Sequence, residues 1–339
     1  MVGMNEQASL HPQMDQARPS ASLAPDERRR SVSIVTPFFN EGHEVVERFR
    51  EALVGVFERM PGIEFEVVCV DDGSTDDTLV SLLSTMQSDR RFVVLELSRN
   101  FGKEAALTAG LDGASGDAVI PFDADLQDPP GIIPLLIEEW QKGADAVLAR
   151  RSDRRSDSLA KRKSAELFYK FHNRLSTVKI PEDVGDFRLV DRAVVDCLTQ
   201  LPEQQRFMKG LFAWVGFRTV TVDYARMPRS AGEGKFSGWK LWNLALEGIT
   251  GFSSVPLKVW TYVGSVFATI TFLYGLFIVV RTLVFGVDLP GYASLLVAIL
   301  FFGSLQLISL GILGEYIGRI YMESKRRPLY IIRRRYGGK

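Results

Sequence analysis

The sequence has 339 residues, enough for one large domain or two ordinary ones, and its 41 Lys and Arg residues balance its 41 Asp and Glu residues. This balance leaves no overall positive field to hold a nucleic acid by its phosphates, which argues against a nucleic-acid partner. Hydrophobic residues make up 46% and charged residues 24%, a globular composition that excludes wholesale disorder. Cys69 and Cys197 match no metal or redox spacing, so we expect a reduced, cytosol-facing compartment.

The N-terminal segment 1–30 is rich in Ser, Pro and charge, and we interpret it as a disordered leader without a signal peptide. After it, short apolar runs alternate with stretches of helical periodicity. The predicted strands are Val32–Thr36, Glu66–Val70, Phe92–Leu97, Ala118–Phe122 and Ala144–Ala149. The predicted helices are Glu44–Met60, Asp76–Ser88 (N-cap Ser74 or Thr75), Lys103–Asp112 and Ile132–Lys142. This alternation indicates an α/β fold, a mostly parallel sheet with helices on both faces.

Acidic side chains collect where the predicted strands end. Asp71-Asp72 follows the second strand and Asp123-Ala124-Asp125 follows the fourth. Alternation in an extended segment would place Asp123 and Asp125 on one side, and two hard oxygen ligands so placed suit Mg²⁺ or Mn²⁺ bridging a diphosphate. An Asp-x-Asp triplet alone is a weak signal, because acidic pairs at turns usually cap helices or meet solvent. The chain contains no Gly-x-Gly-x-x-Gly and no P-loop sequence, which weighs against those nucleotide folds.

Membrane signals dominate the C-terminal third. Residues 236–257 form an amphipathic stretch with Trp239 and Trp242, which indicates a helix lying at the bilayer interface; a core-packing helix is the alternative. The segments 259–280 and 289–314 carry no charge and are long enough to span, so 258–315 is predicted to be a transmembrane hairpin. Small residues in the second span permit close helix contacts and leave a homo-oligomer possible.

The charges that flank the hairpin predict its orientation. Lys258 precedes the first span and Arg319 follows the second, whereas the turn holds only Arg281 and Asp288. By the positive-inside rule, both termini and the α/β domain face the cytoplasm of a plasma-membrane protein. The segment 316–339 is then a basic cytoplasmic tail, and we expect Arg333–Arg335 to contact anionic lipid.

Several motifs together resemble a known family. The motifs are Val35-Thr36-Pro37-Phe38-Phe39-Asn40-Glu41, Val70-Asp71-Asp72-Gly73-Ser74, Ser98-Arg99-Asn100-Phe101-Gly102-Lys103-Glu104, Asp123-Ala124-Asp125-Leu126-Gln127-Asp128-Pro129, Gly185-Asp186-Phe187-Arg188-Leu189 and Arg206-Phe207-Met208-Lys209-Gly210. They resemble family 2 glycosyltransferases with the GT-A fold, and more narrowly the polyprenyl-phosphate glycosyltransferases, including bactoprenol glucosyltransferases and dolichol-phosphate mannose synthase. The resemblance implies a GT-A domain over 31–235 and an enzyme, an inverting hexosyltransferase.

The resemblance also implies roles for individual residues. The nucleotide-sugar pocket would be lined by Pro37, Phe39, Glu41, Val70, Asp72, Asp123, Ala124 and Asp125. Phe39 stands where the family often has Tyr, and core packing is the alternative for Phe39 and Val70. The divalent ion would be held by Asp125 and Gln127, with Asp123 beside them.

In the implied reaction a polyprenyl phosphate attacks the anomeric carbon of a nucleotide sugar. Asp186 would be the catalytic base or would orient the acceptor; an ion pair with Arg188 is the alternative. The cations expected to receive the two anions are Arg206, Arg229 and Lys235. Glucose from UDP-glucose is the expected donor, with undecaprenyl phosphate as acceptor, while mannose-type and aminoarabinose-type transfer stay open.

Two other classes of membrane protein are alternatives to this enzyme. A processive polysaccharide synthase would share the nucleotide-sugar site, but the sequence lacks a Gln-x-x-Arg-Trp motif, and two spans make a poor translocation channel. A noncatalytic membrane scaffold would have little reason to retain Asp72, Asp123, Asp125 and Asp186 together.

Overall fold

The computed structural model describes residues 30–151, 184–204, 206, 208–224, 255–285 and 291–338. The leader up to residue 29, Arg229, Lys235, most of the amphipathic stretch 236–257 and the turn between the two spans lie outside these ranges.

The predicted alternation of strands and helices is present in the first half of the chain. The strands are β1 (Ser31–Phe38), β2 (Glu64–Asp71), β3 (Phe92–Leu97), β4 (Ala118–Pro121) and β5 (Ala146–Arg151). The helices are α1 (Gly42–Phe57), α2 (Thr78–Ser88), α3 (Lys103–Gly113) and α4 (Ile133–Gln141), the last preceded by a 3₁₀ turn at Pro130–Ile132. The predicted N-cap of α2 was wrong, because that helix begins later, after Asp77.

The remaining elements are β6 (Val184–Asp191), α5 (Arg192–Thr199), α6 (Met208–Trp214), β7 (Thr219–Tyr224), α7 (Val255–Phe285), α8 (Tyr292–Ser324) and β8 (Ile332–Tyr336). Among the described residues, the strands form one sheet in the order β7-β5-β6-β4-β1-β2-β3-β8. Strands β4, β1, β2 and β3 are parallel to their neighbours within this group, and β6 runs antiparallel between β4 and β5. The chain winds outward in both directions from β1, so the carboxyl ends of β1 and β4 border the switch point where α/β sheets bind ligands.

Buried side chains lie on both faces of this sheet. Alternate residues of β1 and β2 enter different clusters, with Ile34 and Cys69 on the face of α1, α2 and α4, and Val35 and Val70 on the face of α3. Helix α3 lies very close to the sheet, because a Cβ at Gly110 would come within 2.2 Å of the Val35 side chain. Glycine at this position therefore permits the approach that brings the start of α3 to the sheet edge.

Two long helices, α7 and α8, follow the α/β domain. They contact each other through aromatic rings, with the Phe267 ring centroid 5.8 Å from that of Phe301 and 6.2 Å from that of Phe302. Within the described residues, Phe301–Ser324 is long and apolar enough to cross a membrane, and Gly264–Phe277 is a shorter apolar stretch. Two consecutive long helices agree with the predicted hairpin, although both helices extend beyond the predicted limits of the spans.

The end of the chain differs from the predicted tail. Helix α8 runs to Ser324, and β8 pairs antiparallel with β3 at the edge of the sheet. Arg333 lies in this strand, with its guanidinium 3.0 Å from the Glu96 carboxylate. The run Arg333–Arg335 is therefore part of the sheet of the α/β domain, because β3 offers an unpaired edge and an acid opposite the arginines.

Candidate functional site

The predicted site residues gather at the carboxyl ends of β1 and β4. A narrow pocket there is lined by Pro37 near the end of β1, by Asp123 after β4, by Lys103 at the start of α3 and by Asp186 from β6. Asp186 belongs to a strand of the sheet, β6. The antiparallel pairing of β6 with β4 places Asp186 beside the acidic turn, which sequence distance alone did not indicate.

The acidic turn holds Asp123 and Asp125 in a way the alternation argument did not foresee. Strand β4 ends at Pro121, and residues 124–125 form a turn, not an extended segment. Leu126 has a positive φ of 52°, which turns the chain so that the Gln127 N–H donates to the Asp125 carboxylate at 3.1 Å. The Gln127 amide also donates to Asp125, so Gln127 holds that carboxylate in place.

Negative charge accumulates around this turn. Desolvation raises the pKa of Glu41, and the carboxylates of Asp125 and Asp123 raise it further. Desolvation likewise raises the pKa of Asp123; Lys103 opposes the rise, while Asp186 and Asp125 add to it. A cation bound among these acids would relieve their repulsion and favour their ionised forms.

A divalent cation fits this donor set only with help from a ligand. Within the described ranges, no group of three His, Cys, Asp or Glu residues forms a complete metal cluster. Magnesium is commonly held by one or two carboxylates together with substrate phosphates, so Asp123 and Asp125 have the chemistry required for a shared metal and diphosphate site.

The second acidic pair supports neighbouring loops. Asp72 is 3% exposed, and its two oxygens accept the backbone N–H groups of Phe101 at 2.7 Å and Gly102 at 2.9 Å. Gly73 has a φ of 69°, and a Cβ there would lie 2.5 Å from the Arg99 backbone. Asp72 therefore fixes the loop that leads into α3, and through it the position of Lys103.

The other predicted pocket residues divide into exposed and buried groups. Phe39 is 44% exposed beyond the end of β1, so core packing does not explain it. Val70 is fully buried in the cluster under α3, which corrects the prediction that its side chain lines the pocket. Ala124 is 4% exposed and packs in the opposite cluster, so its methyl group faces the core as well.

Two lysines that the sequence analysis did not single out complete the site. The Lys103 ammonium lies 2.7 Å from an Asp123 oxygen and 3.6 Å from an Asp186 oxygen. Lys209, from α6, lies 3.7 Å from the other Asp186 oxygen. Desolvation favours the neutral acid at Asp186, but Lys209, Lys103 and Arg188 outweigh it and lower the pKa of Asp186. Both lysines stand inside the quoted motifs, and that was the only signal in the sequence.

Among the described residues, Arg188 contacts the backbone of Asp186 and not its carboxylate, so the structure does not show the ion pair that was the alternative for Asp186. The Arg188 Nε donates to the backbone oxygen of Asp186 at 3.3 Å, and its guanidinium stacks 4.2 Å from the Phe212 ring centroid. The ion pairs seen for the Asp186 carboxylate are those with Lys103 and Lys209.

Glu104 adds a titratable group beside these charges. Desolvation by the surrounding protein, together with repulsion by Asp186, raises the pKa of Glu104 to about 7. Lys103, Lys209 and Arg188 oppose this rise. An acid that changes charge near neutral pH thus lies next to the Asp186 pair.

Arg206 makes contacts inside the fold that its predicted role did not include. Its guanidinium donates to the backbone oxygens of Leu198 at 3.2 Å and Leu201 at 2.6 Å, which closes the C-terminal end of α5. Orphan carbonyls at a helix end attract such a cation, so Arg206 is used for structure. Lys103 and Lys209 are the cations that contact Asp186, and a role of Arg206 toward the two anions stays a prediction.

Comparisons with known proteins identify the family. Residues 33–199 match the model of glycosyl transferase family 2, and residues 255–320 match the GtrB C-terminal hairpin. The chain belongs to glycosyl transferase family 2: it is a glycosyltransferase with a GT-A domain followed by a C-terminal hairpin. The fold class and the enzyme class predicted from the sequence are thereby confirmed.

Individual relatives narrow the resemblance. The chain is 57% identical over 302 residues to the bactoprenol glucosyl transferase of Shigella phage SfV, covering 89% of this chain and 98% of that protein. It is 54% identical over 303 residues to the prophage bactoprenol glucosyl transferase homolog of Escherichia coli K12, covering 89% and 98%. A solved mannosyltransferase from Pyrobaculum calidifontis, in complex with GDP-Man and Mn²⁺, is 19% identical, with a TM-score of 0.42 and coverage of 68% and 64%.

Proposed function

We propose that this enzyme transfers glucose from UDP-glucose to undecaprenyl phosphate at the cytoplasmic face of the membrane, with inversion at the anomeric carbon. The observation that carries the proposal is the division of charge at the site. Asp123 and Asp125 lie in the turn after β4, and Lys103 and Lys209 contact Asp186 beside this turn. The choice of glucose and of a bactoprenol lipid is supported by two relatives more than 50% identical to this chain, which are named as a bactoprenol glucosyl transferase and a homolog of one.

On the donor side, Asp123 and Asp125 would hold Mg²⁺ or Mn²⁺ together with the diphosphate, and Gln127 keeps Asp125 oriented. When bound, the metal supplies counter-charge to the departing diphosphate. The exposed ring of Phe39 and the carboxylate of Glu41 border the same edge, where the nucleoside would lie.

On the acceptor side, a phosphate monoester needs placement more than deprotonation. Its second pKa is about 6, so the attacking oxygen already carries negative charge at neutral pH. That oxygen forms the bond to the anomeric carbon while the bond from that carbon to the diphosphate oxygen breaks, and no proton has to move. Lys103 and Lys209 would neutralise the incoming dianion, and Asp186, whose pKa is lowered, would orient the lysines.

The membrane assignment supports a lipid acceptor. Phe301–Ser324 is apolar enough to span, and the second matched family model is a C-terminal hairpin. The basic flanks of this hairpin favour a cytoplasmic position for the α/β domain and both termini. Homo-oligomer formation stays a prediction.

The test is transfer by membranes that carry the protein, supplied with undecaprenyl phosphate and, in parallel, labelled UDP-glucose, GDP-mannose and a UDP-aminoarabinose. We expect labelled lipid from UDP-glucose only. Membranes carrying Asp125→Asn are the control for background transfer. Labelling from another donor would replace the proposed sugar, and labelling of a polymer in place of the lipid would favour a polysaccharide synthase.

A further inference from the structure

The chain returns to the catalytic domain after the membrane hairpin. Residues 325–331 connect α8 to β8, and the Ser98 N–H donates to the Ile331 carbonyl oxygen at 2.9 Å where β8 begins to pair with β3. The matched family models end at residues 199 and 320, so neither covers this segment.

A buried acid receives two side chains from this strand. Glu96 on β3 is 7% exposed, and its oxygens accept from the Arg333 guanidinium at 3.0 Å and from the Tyr336 hydroxyl at 2.8 Å. A carboxylate removed from water is costly without such partners. The C-terminal strand therefore supplies the hydrogen-bond donors that the buried Glu96 carboxylate needs.

A second set of contacts ties the end of α8 to the acceptor side of the site. The Gln204 N–H donates to the Glu323 carboxylate at 2.8 Å, and the Gln204 side chain donates to the backbone oxygen of Arg327. Gln204 leads into α6, whose Lys209 contacts Asp186. Between these points, the Tyr330 hydroxyl donates to Asp112 at the end of α3, the helix that begins with Lys103.

We propose that Glu323, Arg327, Tyr330, Arg333 and Tyr336 form a C-terminal clasp that positions the catalytic site for a membrane-bound acceptor. The clasp joins a candidate membrane span to α3, which carries Lys103, and to Gln204, which precedes the helix that carries Lys209. A lipid phosphate is held at a fixed height by the bilayer, so the protein has to bring its lysines to that height. The identity of the acceptor rests on the proposed function, whereas the positioning role rests on these contacts.

This role makes a prediction that separates it from mere folding support. Misplacement of reacting groups by about 1 Å costs about 10²-fold in rate. This cost applies to an acceptor whose phosphate is held at a fixed height by the bilayer, because that phosphate cannot move to a displaced site. A short-chain, water-soluble prenyl phosphate is free to diffuse to the site wherever it stands. A loosened clasp should therefore slow transfer to undecaprenyl phosphate in a bilayer and spare the soluble acceptor.

The experiment compares full-length wild type, Gln204→Ala and the double variant Tyr330→Phe with Arg333→Ala in liposomes. We expect kcat/KM for undecaprenyl phosphate to fall about tenfold or more in the double variant, with transfer to the ten-carbon prenyl phosphate and calorimetric binding of UDP unchanged within about twofold. Arg333→Lys should restore most of the loss. Arg334→Ala is the matched control, because Arg334 lies in the same strand and forms no ion pair among the described residues.

Equal loss of transfer with both acceptors would overturn the proposal, because the clasp would then only support the fold. An unchanged rate with the bilayer acceptor would also overturn it. If the double variant unfolds, the same comparison is made with Gln204→Ala, which leaves the pairing of β8 intact. A wild type that transfers no glucose to either acceptor would instead contradict the proposed function.

Discussion

Lys103→Met is the perturbation that tests the charge division of the site most directly. The Lys103 ammonium contacts the Asp123 carboxylate at 2.7 Å and the Asp186 carboxylate at 3.6 Å, so it stands between the donor side and the acceptor side. Desolvation alone would lower the pKa of Lys103, but the two acids raise it, so the ammonium stays charged throughout the accessible pH range. Methionine keeps the length of the side chain and removes the charge.

The two sides should respond in opposite directions. The side chains of Lys103 and Asp123 are 50% and 38% exposed, so their pairing contributes about 0.2–1 kcal/mol after solvent screening. Removing this competing cation should therefore tighten Mn²⁺ binding. A tenfold change in affinity corresponds to about 1.4 kcal/mol, so about 0.2–1 kcal/mol corresponds to an increase in affinity of about 1.4- to fivefold. Transfer should fall by about 10²–10³, the usual cost of losing one group that stabilises charge in the transition state.

Two measurements check this pair of expectations: calorimetric titration of Mn²⁺ in the presence of UDP, and initial rates at saturating UDP-glucose. Lys142→Met is the matched control, because Lys142 forms ion pairs with Glu138 at 2.8 Å and Glu139 at 2.9 Å on α4, outside the site. Weaker Mn²⁺ binding together with an unchanged rate would refute the reasoning, because Lys103 would then support the acidic turn and take no part with the acceptor.

Three further predictions concern the same reaction. Asp125→Asn, like EDTA on the wild type, should remove most transfer because the leaving diphosphate loses its counter-charge, and full activity in EDTA would contradict the metal assignment. Asp186→Asn should lower the transfer rate about tenfold or more while calorimetric donor affinity stays near that of the wild type; a donor affinity as weak as that of Asp125→Asn would place Asp186 in the nucleotide pocket. A reporter inserted at Gly286 should lie on the non-cytoplasmic side of the membrane, and reporters at the two termini should lie in the cytoplasm. A cytoplasmic signal from Gly286 would mean that the hairpin does not span the membrane.

The strands of the first half could be predicted because their local pattern and their tertiary environment agree. Val68 belongs to the continuous apolar run Val67–Val70, Ile34 belongs to a strand in which apolar residues predominate, and both are fully buried in the sheet. Strand β8 could not be predicted in this way, since Ile332-Arg333-Arg334-Arg335-Tyr336 has no apolar alternation. It becomes a strand only because β3, more than 230 residues earlier, offers an edge and the acid Glu96.

The candidate site shows the same limit. Asp123 and Asp125 were found because a short motif after a strand carries its own chemistry. Lys209 could not be assigned, because its distance to Asp186 depends on how α6 packs beside β6, and Arg206 was the more conspicuous cation of the same motif. The direction of a long side chain is decided by partners distant in sequence, here the free carbonyls at the end of α5.

The titration of Glu104 gives the last prediction. Its pKa is raised to about 7 from the usual value of 4.5, by desolvation and by Asp186 against the opposing lysines and Arg188. An acid whose pKa is raised by folding favours the protonated folded state, so stability should fall as pH rises between pH 4.5 and 7. In the folded protein Glu104 ionises around pH 7, so the affinity for an anionic acceptor should fall as pH rises through that value. The KM for the polyprenyl phosphate should therefore increase from pH 6.5 to pH 8 in the wild type. Glu104→Gln should flatten this increase, while the second ionisation of the phosphate, at about pH 6, affects both proteins alike. An equal increase of KM with pH in both proteins would show that Glu104 does not face the acceptor.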